Sequence, residues 1–200
     1  MIEKLKWLGH ASFLIDSDVK IYIDPYDLKQ GLPEADIILV THPHYDHLSV
    51  DDINKIVKDD TVIISPTGAE GVKKGKVEKI KVGEKKEVKG VKIEAVPAYN
   101  IGKSFHKKDA GWVGYIVEVE GKRIYHAGDT DFIPEMKEIS CDIALLPCGG
   151  TYTMDWKEAV EAGNAINTKT VIPMHWGKIV GDKSDAEKVK ENLKKEVIIL

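Results

Sequence analysis

An α/β fold is predicted for this 200-residue chain by three observations: short apolar runs of strand length, acidic and serine caps that open helices between them, and regularly spaced turn residues. Taken in order, the segments 4–9 (KLKWLG), 11–17 (ASFLIDS) and 19–25 (VKIYIDP) read as strands joined by turns. The run ADIILVTH at 35–42, bounded by Pro33 and Pro43, reads as a buried strand. Ser49 and Asp52 have the spacing of a capping box, so a helix is expected over DDINKIV directly after the histidine-rich segment.

From Lys76 to Val96 the chain is lysine-rich and strand-like, with turns expected near Gly83 and Gly90. Tyr99 to Asp109 has no period and reads as a long loop, a class that is usually functional. WVGYIVEVE and KRIYHAGD flank Gly121 as a hairpin, and IALLP and TVIPMH read as two further buried strands. Asp155 and Glu158 form a second capping box before WKEAVEAGNAIN, Ser184 is expected to start a last helix, and VIIL reads as a terminal strand. With no linker, repeat or low-complexity tract, residues 1–200 are expected to form one domain.

Composition excludes several functions. Charged residues make up 31% of the chain yet the net charge is −4, so no broad basic field is available to grip a phosphate backbone, and nucleic acid is not an expected partner. No apolar run approaches the roughly 20 residues of a membrane span. Cys141 and Cys148 bracket a short apolar strand that would hold them apart, so both read as buried thiols. The first residues lack the pattern of a signal peptide, and a cytoplasmic location is expected.

The chemistry concentrates in His42-Pro43-His44-Tyr45-Asp46-His47. Three histidines and an aspartate beside an apolar strand would be costly to bury without a partner, and imidazole with carboxylate suits zinc, with manganese or iron as alternatives. Two other apolar strands also run into such residues, one into His126-Ala127-Gly128-Asp129 and one into Met174-His175. Ligands at neighbouring strand ends converge, which is how distant positions build one site. A lone histidine at a strand end is more often a satisfied core residue, and His126 is read that way.

The ordered set GHASFLI (9–15), Asp24-Pro25, THPHYDHLS (41–49), YHAGDTD (125–131), LPCGGTYTM (146–154) and PMHWG (173–177) resembles the metallo-β-lactamase-fold hydrolases, and within them the ascorbate-6-phosphate lactonase-like branch. The resemblance spans nearly the whole chain and implies a four-layer αββα sandwich. It implies two divalent metal ions: His42 and His44 on the first, Asp46, His47 and His175 on the second, and Asp129 as the bridge. The pattern's further histidine for the first ion is replaced by Asn100, and His106 is the nearby substitute. Asn100 and His10 then become contacts to ligands or to substrate, and Asp24 an acceptor for a ligand imidazole. Trp112, Tyr152, Thr153 and Trp176 line the pocket or pack in the core.

The expected function is metal-dependent hydrolysis of a small ester, lactone, amide or phosphorylated metabolite, with Asp46 handling a proton. The alternatives are a phosphodiesterase acting on a nucleotide or lipid head group, a di-iron redox protein and a non-catalytic metal binder. A small molecule is the expected partner, and a homo-oligomer is left open.

Overall fold

The computed structural model describes residues 1–200. Its layers follow from side-chain alternation of period two. The first sheet contains β1 (Leu5–Gly9), β2 (Ser12–Asp16), β3 (Lys20–Ile23), β4 (Ala35–Leu39), β5 (Val57–Ser65) and β6 (Lys76–Lys79), side by side in chain order. β2 sends Phe13 and Ile15 inward and Leu14 outward; β3 and β4 repeat the pattern with Ile21, Ile23, Ile37 and Leu39 against Tyr22 and Ile38. The outward residues are covered by Ile53 and Ile56 of α1 (Val50–Ile56).

The second sheet runs from β7 (Lys85–Val88) through β8 (Val91–Pro97), β9 (Val113–Val119), β10 (Lys122–His126), β11 (Ile143–Pro147) and β12 (Thr170–Met174) to β13 (Glu196–Val197). Every residue of β11 and β12 is buried, since one face meets the first sheet and the other lies under α2 (Trp156–Ala165) and α3 (Lys183–Asn192). The result is the expected αββα order of layers. Both sheets start antiparallel and finish parallel: β1 to β3 then β3 to β6, and β7 to β10 then β10 to β13. One apolar core joins their inner faces.

Three polar contacts fasten the sheets together where β4, β9 and β10 end. The Tyr115 hydroxyl donates to the Val40 carbonyl at 2.8 Å, Val113 N–H donates to Thr41 O at 3.2 Å, and His126 Nε2 donates to Ala11 O at 2.8 Å. His126 also accepts from Gly128 N–H through Nδ1 at 3.1 Å, so both ring nitrogens are satisfied and the core reading of this residue holds.

Three local expectations are corrected. Asp52 does not close a capping box: its carboxylate accepts from the N–H groups of Asp27 and Leu28 at 2.7 and 3.0 Å, and Ser49 alone caps α1. α3 is capped by Asp182 with Asp185 completing the box, so Ser184 lies inside the first turn. The last strand pairs only over Glu196–Val197. Cys141 and Cys148 are buried and unpaired, as expected. No helix is long and apolar enough to cross a membrane.

Candidate metal centre

Asp24, at the end of β3, organises the first part of the site. Its Oδ1 accepts from Thr41 N–H at 2.8 Å, and its Oδ2 accepts from the Thr41 hydroxyl and from His47 Nδ1, each at 2.7 Å. A carboxylate holding Nδ1–H turns His47 Nε2 towards the other donors, where a cation would take the place of its proton. This Nε2 lies 3.3 Å from Asp129 Oδ1 and 3.7 Å from Asp46 Oδ2. Burial opposes protonation of His47, but the facing carboxylates of Asp129 and Asp24 outweigh it and raise its pKa well above the usual imidazole range.

The Thr41 hydroxyl spends its only proton on Asp24, so at its 2.9 Å contact with His42 Nδ1 it must be the acceptor. His42 is thereby fixed with Nε2 free, 3.0 Å from His44 Nδ1. Burial pushes the His42 pKa well down and lowers that of His44 as well, so both rings are neutral at pH 7 and able to ligate.

The aperiodic loop delivers His106. Asn100 Oδ1 accepts from His106 N–H at 2.9 Å and lies 3.1 Å from His106 Nδ1; an amide oxygen only accepts, so Nδ1 carries the proton. The Asn100 amide nitrogen donates to Asp131 Oδ1 at 3.0 Å and to Tyr152 O at 2.9 Å. His106 Nε2 therefore faces Asp129 Oδ2, 3.2 Å away. Trp112 walls this group, its ring centroid 5.0, 4.9 and 5.5 Å from those of His42, His44 and His106.

His175 follows β12 with φ +60°, and its N–H donates to His10 O at 2.8 Å. Its Nε2 lies 3.1 Å from Asp129 Oδ2. His10, fully buried with φ +53°, meets Asp46 Oδ2 through Nε2 at 3.0 Å and packs its ring 3.8 Å from that of His175. Asp24 has φ +46°. Left-handed backbone at three residues other than glycine carries a cost that an unselected turn would avoid, and such strain clusters at functional sites.

The donors fall into three overlapping groups: His42, His44 and His106; His10, Asp46, His47 and His175; and His42, His47 and Asp129. Within each, the donor atoms lie within 4.8 Å of one another. Asp129 touches members of the first two groups, and the imidazoles of His175 and His47 offset its burial and hold its carboxyl well below the usual range. His10 Nδ1, His47 Nε2, His106 Nε2, Asp129 Oδ1 and both nitrogens of His175 are buried with no hydrogen-bond partner in the protein. A buried unpaired polar atom costs roughly 1–3 kcal/mol, and imidazole lone pairs converging on a carboxylate are the donor set a divalent cation satisfies.

All ten sequence-derived site residues meet here: His10, Asp24, His42, His44, Asp46, His47, Asn100, His106, Asp129 and His175. Of the further pocket candidates, Trp112 and Tyr152 lie at the site. Thr153 is buried, with its carbonyl accepting from Lys103 at 2.8 Å. Trp176 belongs to the core, its ring centroid 4.6 Å from that of Trp7 at a 38° tilt, with Nε1 donating to Pro173 O. Sequence reasoning missed Thr41, which sets two ligand orientations, and Asp131, which accepts from Asn100, from Ile101 N–H at 2.8 Å and from Lys103 Nζ at 2.6 Å. Both lie inside quoted motifs, and their position beside ligands was the available signal.

The beta-lactamase superfamily domain model matches residues 4–175. A UPF0173 metal-dependent hydrolase from Pyrococcus abyssi is 36% identical over 98% of this chain and 96% of its own length. Among solved structures, a protein from Parabacteroides distasonis assigned as a metal-dependent hydrolase is 36% identical, with a TM-score of 0.84 over 98% of this chain and 91% of its own. A metallo hydrolase from Ignicoccus hospitalis is 25% identical, with a TM-score of 0.79 over 98% and 94%.

Proposed function

This chain belongs to the UPF0173 metal-dependent hydrolase family of the metallo-β-lactamase fold, and on that premise we propose that it holds two divalent cations and uses them to hydrolyse a small carbonyl substrate. His42, His44 and His106 would hold one ion and Asp46, His47 and His175 the other, with the Asp129 carboxylate facing both sets of donors. Five imidazoles with two carboxylates favour zinc, with manganese or iron as alternatives. Bound divalent cations supply Lewis acidity, which brings the pKa of water towards neutrality and draws charge from a carbonyl oxygen.

The protein's own groups do the rest. Asp24, Thr41 and Asn100 orient His47, His42 and His106 by holding their Nδ1 protons. Burial raises the Asp46 pKa, but the hydrogen bond from His10 and the nearby His47 imidazole together outweigh it and lower the pKa, so this carboxylate is ionised at neutral pH. Asp46 takes a proton on the oxygen that His10 does not engage and delivers it to the leaving group. Two unpaired cysteines suit a reducing compartment, and the cytoplasm is the proposed location.

The observation that carries this reading is the Asp129 carboxylate, reached by unpartnered nitrogens from both ligand groups. Protein purified without chelator is expected to contain close to two ions per chain, and His44→Ala and Asp129→Ala to lose metal and ester or lactone turnover together. An ion content near zero with ample zinc, or wild-type turnover by either variant, ends the reading.

A further inference from the structure

Beside the ligands lies a cavity of about 220 Å³ whose walls are Tyr45, Phe105, Tyr152 and Ile179. Phe105 and Tyr152 meet edge to face, centroids 4.8 Å apart at 90°, which makes one side an aromatic corner where the face of one ring meets the edge of the other. Tyr45 is 67% exposed and Phe105 45%, and Ile101 on the same loop as Phe105 is 56% exposed. Of the six large apolar side chains that the chain leaves exposed, Tyr45 and Phe105 line this one cavity from two different loops. Exposed apolar side chains collected at a cleft mark a ligand surface.

No lysine or arginine lines the cavity. Among the lysines near its lining in sequence, Lys103 Nζ donates to Asp131 and Thr153 O at 2.6 and 2.8 Å, Lys108 pairs with Glu135 and Lys178 with Asp27, while Lys107, beside His106, is exposed to solvent. Away from the His/Asp cluster, an anionic group would find only Tyr45, Phe105, Tyr152 and Ile179 in the lining. The volume exceeds the roughly 150 Å³ that admits benzene and falls short of the roughly 300–1,000 Å³ of drug-sized sites, so it encloses about one ring with its linkage.

We propose that the substrate is an uncharged ester, lactone or amide carrying a single flat apolar ring, which packs against Phe105 and Tyr152 while its carbonyl faces the His/Asp cluster. This rests on the hydrolase reading and narrows it. The test uses the full chain loaded with zinc and three probes: dihydrocoumarin as aryl lactone, δ-valerolactone as aliphatic lactone, and bis(4-nitrophenyl) phosphate as anionic diester. Dihydrocoumarin is expected to have the lowest KM and the phosphodiester the lowest kcat/KM. Phe105→Ala, a change at a half-exposed side chain, is expected to raise KM for dihydrocoumarin by about three- to tenfold and by less for δ-valerolactone.

Binding of the non-hydrolysable ketone α-tetralone, followed by calorimetry against cyclohexanone, supplies a readout independent of turnover. Phe105-dependent tetralone binding without hydrolysis of any probe would retain the aromatic pocket and end the hydrolase reading. Lactone turnover in which Phe105→Ala affects both lactones equally, or a phosphodiester preferred over dihydrocoumarin, would overturn the substrate class and leave the hydrolase standing. Tetralone bound no better than cyclohexanone would also overturn it.

Discussion

Replacing Asn100 tests the link between the aperiodic loop and the first ligand group. Its side-chain amide makes four contacts: donations to Asp131 Oδ1 and Tyr152 O, and acceptance from His106 N–H and Nδ1–H. The residue is only 7% exposed, so water cannot readily replace what alanine removes. Neutral hydrogen bonds contribute about 1 kcal/mol each and one to a carboxylate about 1.5–3 kcal/mol; allowing for partial relaxation, Asn100→Ala should cost about 3–5 kcal/mol. Domains have only about 5–15 kcal/mol in total, so the denaturant midpoint should fall clearly. Freed from its acceptor, His106 should weaken the first ion by about 10–100-fold, while the second ion, held by Asp46, His47 and His175, is retained more tightly.

Asn100→Asp sharpens the experiment. It keeps an acceptor for His106 but sets an oxygen against Asp131 Oδ1 and Tyr152 O, where the amide donated at 3.0 and 2.9 Å. Like partners repel at that separation, so this near-isosteric change should also lower stability. Denaturant unfolding and zinc titration against a competing chelator read both effects. Wild-type midpoints and wild-type affinity at both sites in the two variants would refute the reasoning.

Three shorter predictions follow the same logic. Thr41→Val removes the hydroxyl joining Asp24 to His42 and should lower zinc affinity by about 10–100-fold by titration, with Thr41→Ser restoring it. Burial raises both thiol pKa values, Cys141 and Cys148, so folded protein at pH 8 should resist iodoacetamide by mass spectrometry while denatured protein takes up two labels. Hydrogen bonds from Lys6 and Lys20 depress the Asp16 pKa from 3.8 to about 2; this stabilisation is therefore present above pH 3.8 and is lost as pH falls through about 2. Solvent screening keeps it below about 1 kcal/mol, and Asp16→Asn should flatten only that acid window in a stability-against-pH series.

The site was legible because its donors are chemically costly. Four candidate ligands within six residues have no economical core role, and the ends of β10 and β12 supply Asp129 and His175 by the same strand-end logic. His106 was a candidate because Asn100 stands where the resemblance expects a histidine and no other histidine lies in that loop, and the structure brings its Nε2 to 3.2 Å from Asp129. What stayed hidden depends on competition among local partners. Asp52 has the spacing of a cap, yet two loop N–H groups across space take its carboxylate, and nothing near it in sequence announces them. Phe105 and Ile179 wall the pocket from irregular segments whose course no periodicity encodes. Trp176 follows His175 directly but packs against Trp7, and nothing in its sequence neighbourhood separates the two roles.

The division of donors between the sheets has a mechanical consequence. His10, His42, His44, Asp46 and His47 come from the half of the chain that forms the first sheet, whereas His106, Asp129 and His175 come from the second. Neither half can assemble either group by itself, so filling the centre rivets one rim of the sandwich from opposite sides. Chelation should then loosen that rim first, with amides near Thr41, His106 and His175 exchanging hydrogen faster while the far ends of the same strands stay protected.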